Sequence, residues 1–117
     1  DTEKHIKSRQ TKSIMRSQII ELIETSLIQK NIGQLNLSEV AKQLNMSSRT
    51  LQRYLEIEDT TFKALIAEVR KQYAEVMLIQ NELSIQEISE SLGYADVSHF
   101  SRAFKNWTGV TPKAFRK

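Results

Sequence analysis

The fold of this chain is decided by residues 84–116, which read SIQEISESLGYADVSHFSRAFKNWTGVTPKAFR. Ser84 with Glu87 three residues later has the pattern of a capping box, which opens a helix. Gly93 is typical of the residue just beyond a helix end, and Asp96 is placed to cap a second helix. The stretch therefore predicts two short helices joined by a tight turn, as in a helix-turn-helix.

A looser copy of this pattern occupies residues 36–55. A shift of 48 positions places Glu39 on Glu87, and after the turn a shift of 49 places Arg53 on Arg102. The second turn is thus predicted to be one residue longer. Any two amphipathic helix pairs can be aligned in this way, but the matched capping patterns and the matched arginine weigh against coincidence. The chain is predicted to contain two helix-turn-helix units.

The rest of the chain predicts further helices and no strand. Three Gly and one Pro in 117 residues are few for a protein with many turns. Apolar residues at helical spacing predict a helix from Ser13 to about Lys30 and a long one ending near Gln80. Thr111-Pro112 starts a last helix, because Pro fits the first helical position. The apolar stripe of the long helix is predicted to be Phe62, Leu65, Ile66, Val69, Tyr73, Val76 and Met77.

The predicted fold is all-α, with seven helices and two helix-turn-helix subdomains joined by a long linker helix. We expect a disordered N-terminal end or linker remnant over 1–12 and the first subdomain over 13–57. The linker helix is expected over 59–81 and the second subdomain over 82–117. Because the chain begins with Asp rather than Met, we expect it to be a fragment of a longer protein.

Composition and charge exclude several classes of protein. The absence of Cys excludes disulfides, Cys-based zinc sites and thiol catalysis, and is compatible with a reducing cytoplasm, where we expect the protein. No run approaches the roughly 20 apolar residues of a membrane span, so no membrane partner is expected.

The net charge is +3, and five Lys or Arg but no acid lie between Val97 and the C-terminus. Such segregation suits a cationic face for phosphates, although solvated helix faces explain it equally well.

The motif over residues 88–105 resembles the DNA-binding domain of AraC/XylS-type bacterial transcription regulators. The likeness continues through Gly109-Val110-Thr111-Pro112 and Phe115-Arg116, and it covers most of the chain. It implies that the long helix sets the distance between two units that enter successive major-groove segments of double-stranded DNA. It also implies transcription activation through RNA polymerase and an effector or dimerisation domain in the full-length chain. Glu58-Asp59 stands where the family commonly has Gly, and Phe115 stands where Tyr is common.

The outward residues of the two second helices are the candidate DNA contacts. Leu51, Tyr54 and Leu55 form the inward stripe of the first of these helices, which leaves its polar residues outward. Arg suits guanine O6 and N7, Gln suits adenine N6 and N7, and Val97 suits a thymine methyl. The predicted base-reading residues are Ser48, Arg49, Gln52, Arg53, Val97, Ser98, His99, Ser101 and Arg102. The predicted phosphate contacts are Lys105, Arg116 and Lys117. For these residues the alternative is an ordinary solvated side chain, and for His99 an intrahelical hydrogen bond is an equal alternative.

Other functions have weaker support in the sequence. The aromatic residues Tyr94, Phe100, Phe104 and Trp107 could stack on single-stranded nucleic acid, but their helical spacing favours core packing. No nucleophile elbow, Gly-rich phosphate loop, metal-ligand set or cofactor motif is present, so an enzyme such as a repair protein or recombinase is not expected. The main alternative to DNA binding is a helical protein-interaction module. Such a module would use the acidic clusters near residues 56–59 and 82–90.

Overall fold

The computed structural model describes residues 2–30 and 32–116, and the side chains of residues 15–30 and 32–116. Within these ranges the chain forms seven α-helices, one short 3-10 turn at Ile32–Gln34, and no strand. The helices are α1 (Thr2–Ile28), α2 (Leu37–Gln43), α3 (Ser48–Ile57), α4 (Phe62–Gln80), α5 (Ile85–Ser91), α6 (Val97–Thr108) and α7 (Pro112–Arg116). The predicted all-α fold with two helix-turn-helix units and a long linker helix is confirmed.

The first helix begins earlier than the sequence predicted. α1 starts at Thr2, whereas apolar periodicity predicted a start at Ser13. The side chains of residues 1–14 lie outside the described residues. The disordered end predicted for residues 1–12 and the proposed subdomain boundaries therefore remain predictions.

Six helices begin at a polar cap whose side chain accepts a backbone N–H three residues later; the sixth is α7, where Thr111 accepts the N–H of Ala114 at 3.2 Å. The other five caps are Asn36, Ser47, Thr61, Ser84 and Asp96. The box at the start of α5 is complete, because the N–H of Ser84 also donates to the Glu87 carboxylate at 3.0 Å. At the start of α2 the Glu39 N–H donates to Oδ1 of Asn36 at 2.9 Å, but the described hydrogen bonds include no donation from the Asn36 N–H to the Glu39 carboxylate. The box predicted there is thus half formed.

The turns of the two units share a left-handed residue and the hydrogen bond that follows it. Asn45 has a φ of 59° and Gly93, 48 positions later, has a φ of 84°, so both are left-handed. The N–H of the next residue, Met46, donates to the carbonyl of Ala41 at 3.0 Å, and the equivalent bond in the second unit measures 3.1 Å. Four residues separate α2 from α3 and five separate α5 from α6. The repeat and its one-residue difference are confirmed.

The chain leaves α3 through a left-handed residue that is not glycine. Asp59 has a φ of 56°, and the N–H of Thr60 donates to the Leu55 carbonyl at 2.9 Å. After α6 the left-handed residue is Gly109, which directly follows the helix and has a φ of 87°. Aspartate is one of the few side chains that tolerate this conformation, because it is short and polar. Asp59 therefore makes the turn for which the family commonly uses Gly.

One hydrophobic cluster runs through both units and the linker helix. α4 packs against α1 and also against α5 and α7, and its buried residues are Leu65, Val69, Ala74 and Leu78. The stripe predicted for this helix was wrong at Val76, which is 53% exposed. The buried face shifts along α4 because its packing partners include α5 and α7 as well as α1.

Side-chain hydrogen bonds join the linker helix to the second unit and to α1. Nε of Arg70 donates to the Leu92 carbonyl at 3.0 Å, and its guanidinium carbon lies 4.7 Å from the centre of the Tyr94 ring. On the other side, the Tyr73 hydroxyl donates to Glu24 of α1 at 3.0 Å. These contacts hold the second turn and α1 at set places on α4.

Substituting each of the three glycines by Ala tests this packing, because the space available for a Cβ atom differs among them. A Cβ on Gly93 would lie 2.6 Å from Cγ2 of Ile32, whereas Gly109 and Gly33 have no atom within 4 Å of that position. Gly93 and Gly109 share the left-handed φ that disfavours a side chain. We expect Gly93→Ala to lower the free energy of unfolding by about 2–5 kcal/mol and Gly109→Ala by about 1–2 kcal/mol. Gly33→Ala should stay within about 0.5 kcal/mol of the parent.

Urea unfolding followed by circular dichroism measures all three variants. Gly33→Ala is the control for the added methyl group itself. Equal losses for Gly93→Ala and Gly109→Ala would show that Ile32 moves aside without cost.

Candidate nucleic-acid interface

The polar side of α3 lies at the surface as the sequence predicted. Leu51 and Leu55 are 0% and 3% exposed and face the core, while Arg49, Gln52 and Arg53 are exposed. The helix thus buries its apolar face and presents two guanidinium groups and one amide to solvent on the other face. These are the groups best suited to guanine and adenine edges in a major groove.

Ser48 differs from its neighbours on α3, because it is half-buried and already bonded within the protein. Its hydroxyl donates to the hydroxyl of Ser38 on α2 at 3.2 Å. This bond links the two helices of the first unit next to the cap at Ser47. Base reading by Ser48 remains a prediction, and the structure gives this residue a second role in fixing the angle of α3.

α6 is arranged like α3. Phe100 and Phe104 are fully buried, and Ser98, His99 and Arg102 are exposed. Val97 and Ser101 are half-buried, and Lys105 is exposed one turn beyond Arg102. The equivalent arginines, Arg53 and Arg102, are both on the exposed side of their helices, as the internal repeat predicted.

His99 makes an intrahelical hydrogen bond, which was one of the two alternatives that the sequence left open. Its N–H donates to Oδ1 of Asp96 at 2.8 Å, and its Nδ1 lies 3.2 Å from the same oxygen. The bond from the backbone N–H is the main cause that lowers the pKa of the Asp96 carboxyl. The imidazole is nevertheless 58% exposed. An intrahelical bond and a DNA contact are therefore compatible, and the DNA contact remains a prediction.

Arg116 is half-buried and bonded to backbone carbonyls. Its Nε donates to the Leu78 carbonyl at 3.3 Å and its Nη2 donates to the Leu83 carbonyl at 2.6 Å. The last carbonyls of a helix have no partner within the helix and attract a cation, which explains the position of this side chain beside the end of α4. These bonds favour a structural role over the predicted phosphate contact, which remains untested. Lys117 lies outside the described residues.

The role of Arg116 can be measured against a cation on the same helix. Arg116→Ala should lower the free energy of unfolding by about 1.5–3 kcal/mol, because it removes hydrogen bonds from a charged donor. Lys113→Ala, at an exposed position of α7, should change it by less than about 0.5 kcal/mol. Urea unfolding gives both values. If Arg116→Ala instead left stability unchanged and reduced the salt dependence of DNA binding, the phosphate assignment would be the correct one.

The aromatic residues of the second unit pack against one another. The ring centres of Phe104 and Phe115 are 5.3 Å apart, and those of Phe100 and Phe104 are 5.9 Å apart. Tyr94 and Trp107 cover the same cluster and are half-buried. The fully buried Phe rings cannot stack on a base, which confirms core packing for them.

Within the part of the chain that the structure describes, no three His, Asp or Glu side chains gather as a metal site. In the same part, no helix has the length and apolar character needed to cross a membrane.

Two capped helix pairs with equivalent turns and two exposed polar helix faces define a double helix-turn-helix protein, the class of DNA-binding transcription regulators. The family model of a helix-turn-helix domain matches residues 40–117. The chain belongs to the AraC/XylS-type family of helix-turn-helix transcription regulators.

Curated relatives and solved structures agree with this assignment. The chain is 44% identical over 80 residues to an HTH-type transcriptional regulator of Mycobacterium tuberculosis, covering 68% of this chain and 23% of that protein. It is 36% identical over 93 residues to the transcriptional activator NphR of Rhodococcus, covering 78% of this chain and 28% of NphR. The chain thus spans about a quarter of the length of these relatives.

The fold agrees with that of a DNA-binding transcriptional dual regulator from Escherichia coli K-12. The TM-score is 0.78 at 29% identity, over 87% of this chain and 88% of that one. The C-terminal domain of AraT, a response regulator from Geobacillus stearothermophilus, gives a TM-score of 0.73 at 33% identity, over 87% and 83% of the two chains.

Proposed function

We propose that this chain binds double-stranded DNA sequence-specifically, with α3 and α6 lying in successive major-groove segments. The observation that carries the proposal is the equivalence of the two units, which share polar caps, a left-handed residue in the turn and an exposed arginine on the second helix. Side chains of α4 form hydrogen bonds with the second turn and with α1, and we propose that α4 fixes the spacing of α3 and α6. Two recognition helices held in this way suit one asymmetric site whose halves lie about one helical turn apart.

The proposed base readers are the outward residues of the two helices. Arg49 and Gln52 lead in the first unit, and Arg102 leads in the second, because their side chains are exposed and match purine edges. Arg53 and Lys105 supply further positive charge for bases or phosphates. The remaining proposed contacts are Ser48, Val97, Ser98, His99 and Ser101.

The wider role follows from the relatives. Since the chain spans about a quarter of their length, we propose that the full protein carries an effector or dimerisation domain beyond this segment. NphR is named a transcriptional activator, and we propose the same role here, with contact to RNA polymerase on a bacterial chromosome in the cytoplasm. The proposal assigns the chain a binding role and no catalytic one.

The test is an in-vitro selection of double-stranded DNA followed by affinity measurements at several salt concentrations. We expect one asymmetric site with two subsites, and an affinity that falls steeply with salt because phosphate contacts release counterions. Fragments with only one subsite, and random DNA, serve as controls and should bind far more weakly. An absence of binding to any DNA at low salt would favour the rival protein-interaction module.

A further inference from the structure

The turn of the second unit lies against the connection that leads into α2 of the first unit. Ile32 begins the short 3-10 turn of this connection and is 6% exposed. A Cβ placed on Gly93 would lie 2.6 Å from Cγ2 of Ile32 and 3.4 Å from Nη2 of Arg70. Among the described atoms beyond the turn itself, these two are the ones within 4 Å of that position. Ile32 and Arg70 therefore both lie against the backbone of Gly93.

Arg70 of α4 is also bonded to the residues on either side of Gly93. Its Nε donates to the Leu92 carbonyl at 3.0 Å, and its guanidinium carbon lies 4.7 Å from the centre of the Tyr94 ring. One side chain thus contacts three consecutive residues of the turn. A hydrogen bond from a charged donor is stronger and more directional than apolar packing, so it holds the turn at one position along α4.

The connection at Ile32 is joined to α3 through α2. The N–H of Leu35 donates to the Ile32 carbonyl at 3.2 Å and closes the 3-10 turn, and Asn36 then caps α2. α2 and α3 pack against each other, and the hydroxyl of Ser48 donates to that of Ser38. A displacement of Ile32 is therefore passed on to α3.

The Gly93 turn is joined to α6 by a second series of bonds. The N–H of Tyr94 donates to the Ser89 carbonyl at 3.1 Å. The hydroxyl of Ser89, which is buried, donates to the carbonyl of Asp96 at 3.1 Å, and Asp96 caps α6. The turn is thus bonded to α5 and to the first residue before α6. The contact at Gly93 therefore connects α3 and α6 through short, bonded segments.

We infer that Ile32 and Arg70 are positioning residues that set the distance between α3 and α6, and with it the number of base pairs between the two DNA subsites. The inference rests on the proposed function, because both helices must lie in the major groove. Each base pair added between the subsites turns one of them by about a tenth of a helical turn relative to the other. Two helices held at one distance cannot follow that rotation, so the clamp makes the protein selective for one spacing.

The experiment measures the affinity of the complete chain for duplexes that carry the selected site with the spacer lengthened or shortened by a single base pair. For the parent, this change should weaken binding about tenfold or more, because the contacts of one subsite are then misaligned. Ile32→Ala removes the methyl group next to Gly93, and Arg70→Ala removes the bonds to the turn. In either variant the same change of spacer should weaken binding only about threefold or less.

Three further variants separate positioning from a general loss of stability or charge. Ile32→Val keeps Cγ2, the atom nearest to Gly93, and should keep the spacing preference of the parent. Ile19→Ala removes the same side chain from a buried position of α1, and Lys71→Ala removes a positive charge beside Arg70 on α4; both should keep the preference. Circular dichroism verifies folding. Because Arg70 is half-buried, Arg70→Ala provides the test if Ile32→Ala does not fold.

The outcomes distinguish this inference from the function on which it rests. If Ile32→Ala or Arg70→Ala keeps the spacing preference of the parent, that residue does not set the distance, although the proposed function stands. An equal loss of preference in Ile19→Ala overturns the inference in the same way, because a weaker core then explains it. A parent that binds all spacings alike also overturns it. If the parent selects no DNA sequence, the inference and the proposed function are both wrong.

Discussion

Phe104→Ala is expected to lower the free energy of unfolding by about 3–5 kcal/mol, the largest effect on stability of any substitution considered for this chain. Phe104 is fully buried, and its ring centre lies 5.9 Å from that of Phe100, 6.3 Å from Trp107 and 5.3 Å from Phe115. Removing the ring leaves a cavity between α6 and α7 that rigid neighbours fill only in part. Since small domains are stable by about 5–15 kcal/mol in total, much of the stability would be lost.

Urea unfolding of Phe104→Ala can be followed by two probes. Circular dichroism reports all helices, and the fluorescence of Trp107, the single tryptophan, reports the second unit. Because the hydrophobic cluster runs through both units, we expect the two transitions to coincide. Asn106→Ala at the neighbouring exposed position is the control and should change stability by less than about 0.5 kcal/mol. A loss below about 1 kcal/mol for Phe104→Ala would contradict this account of the core.

The starts of the capped helices were predictable because their signals are local, whereas α1, which was predicted from apolar periodicity, begins earlier than expected. Each cap from Asn36 to Asp96 acts on an N–H three residues later, so sequence alone contains both partners. The left-handed turns were harder to predict, since Asn45 and Asp59 adopt the backbone conformation that glycine adopts in the second unit. A rule that looks for glycine finds Gly93 and Gly109 and overlooks the four left-handed residues that are not glycine, Lys30, Asn45, Asp59 and Asn81.

Features that depend on distant segments were not predictable in this way. Arg116 bonds to Leu78, 38 residues away, and a basic C-terminal residue looks the same in sequence whether it meets a phosphate or a carbonyl. Val76 fits the helical spacing of the stripe but is exposed, because α4 packs against helices on more than one side. The outward positions of α3 and α6 were predictable, since the buried Leu and Phe residues fix the opposite face by helical spacing.

The largest effect on binding is expected for the double variant Arg49→Ala, Arg102→Ala. Both side chains are exposed on their recognition helices, and each is proposed to bond a guanine edge with two N–H groups. Loss of one such contact should weaken specific binding by about 1–3 kcal/mol. The two arginines lie on different units with no shared partner, so their effects should add to about 2–6 kcal/mol. Binding to random DNA should fall much less.

Fluorescence anisotropy with the selected DNA site, at one fixed salt concentration, measures the single and double variants. Each single variant should also relax the base preference in its own subsite and leave the other subsite unchanged, because α3 and α6 read different segments. Lys71→Ala is the matched control: it removes a positive charge from α4, where Lys71 lies 4.0 Å from Glu75, and should leave specific affinity unchanged. If the double variant bound the selected site as tightly and as selectively as the parent, the two arginines would not be base readers. If Lys71→Ala weakened binding as much as either arginine variant, the effect would be one of overall charge, because sequence reading cannot explain an equal loss from the linker helix.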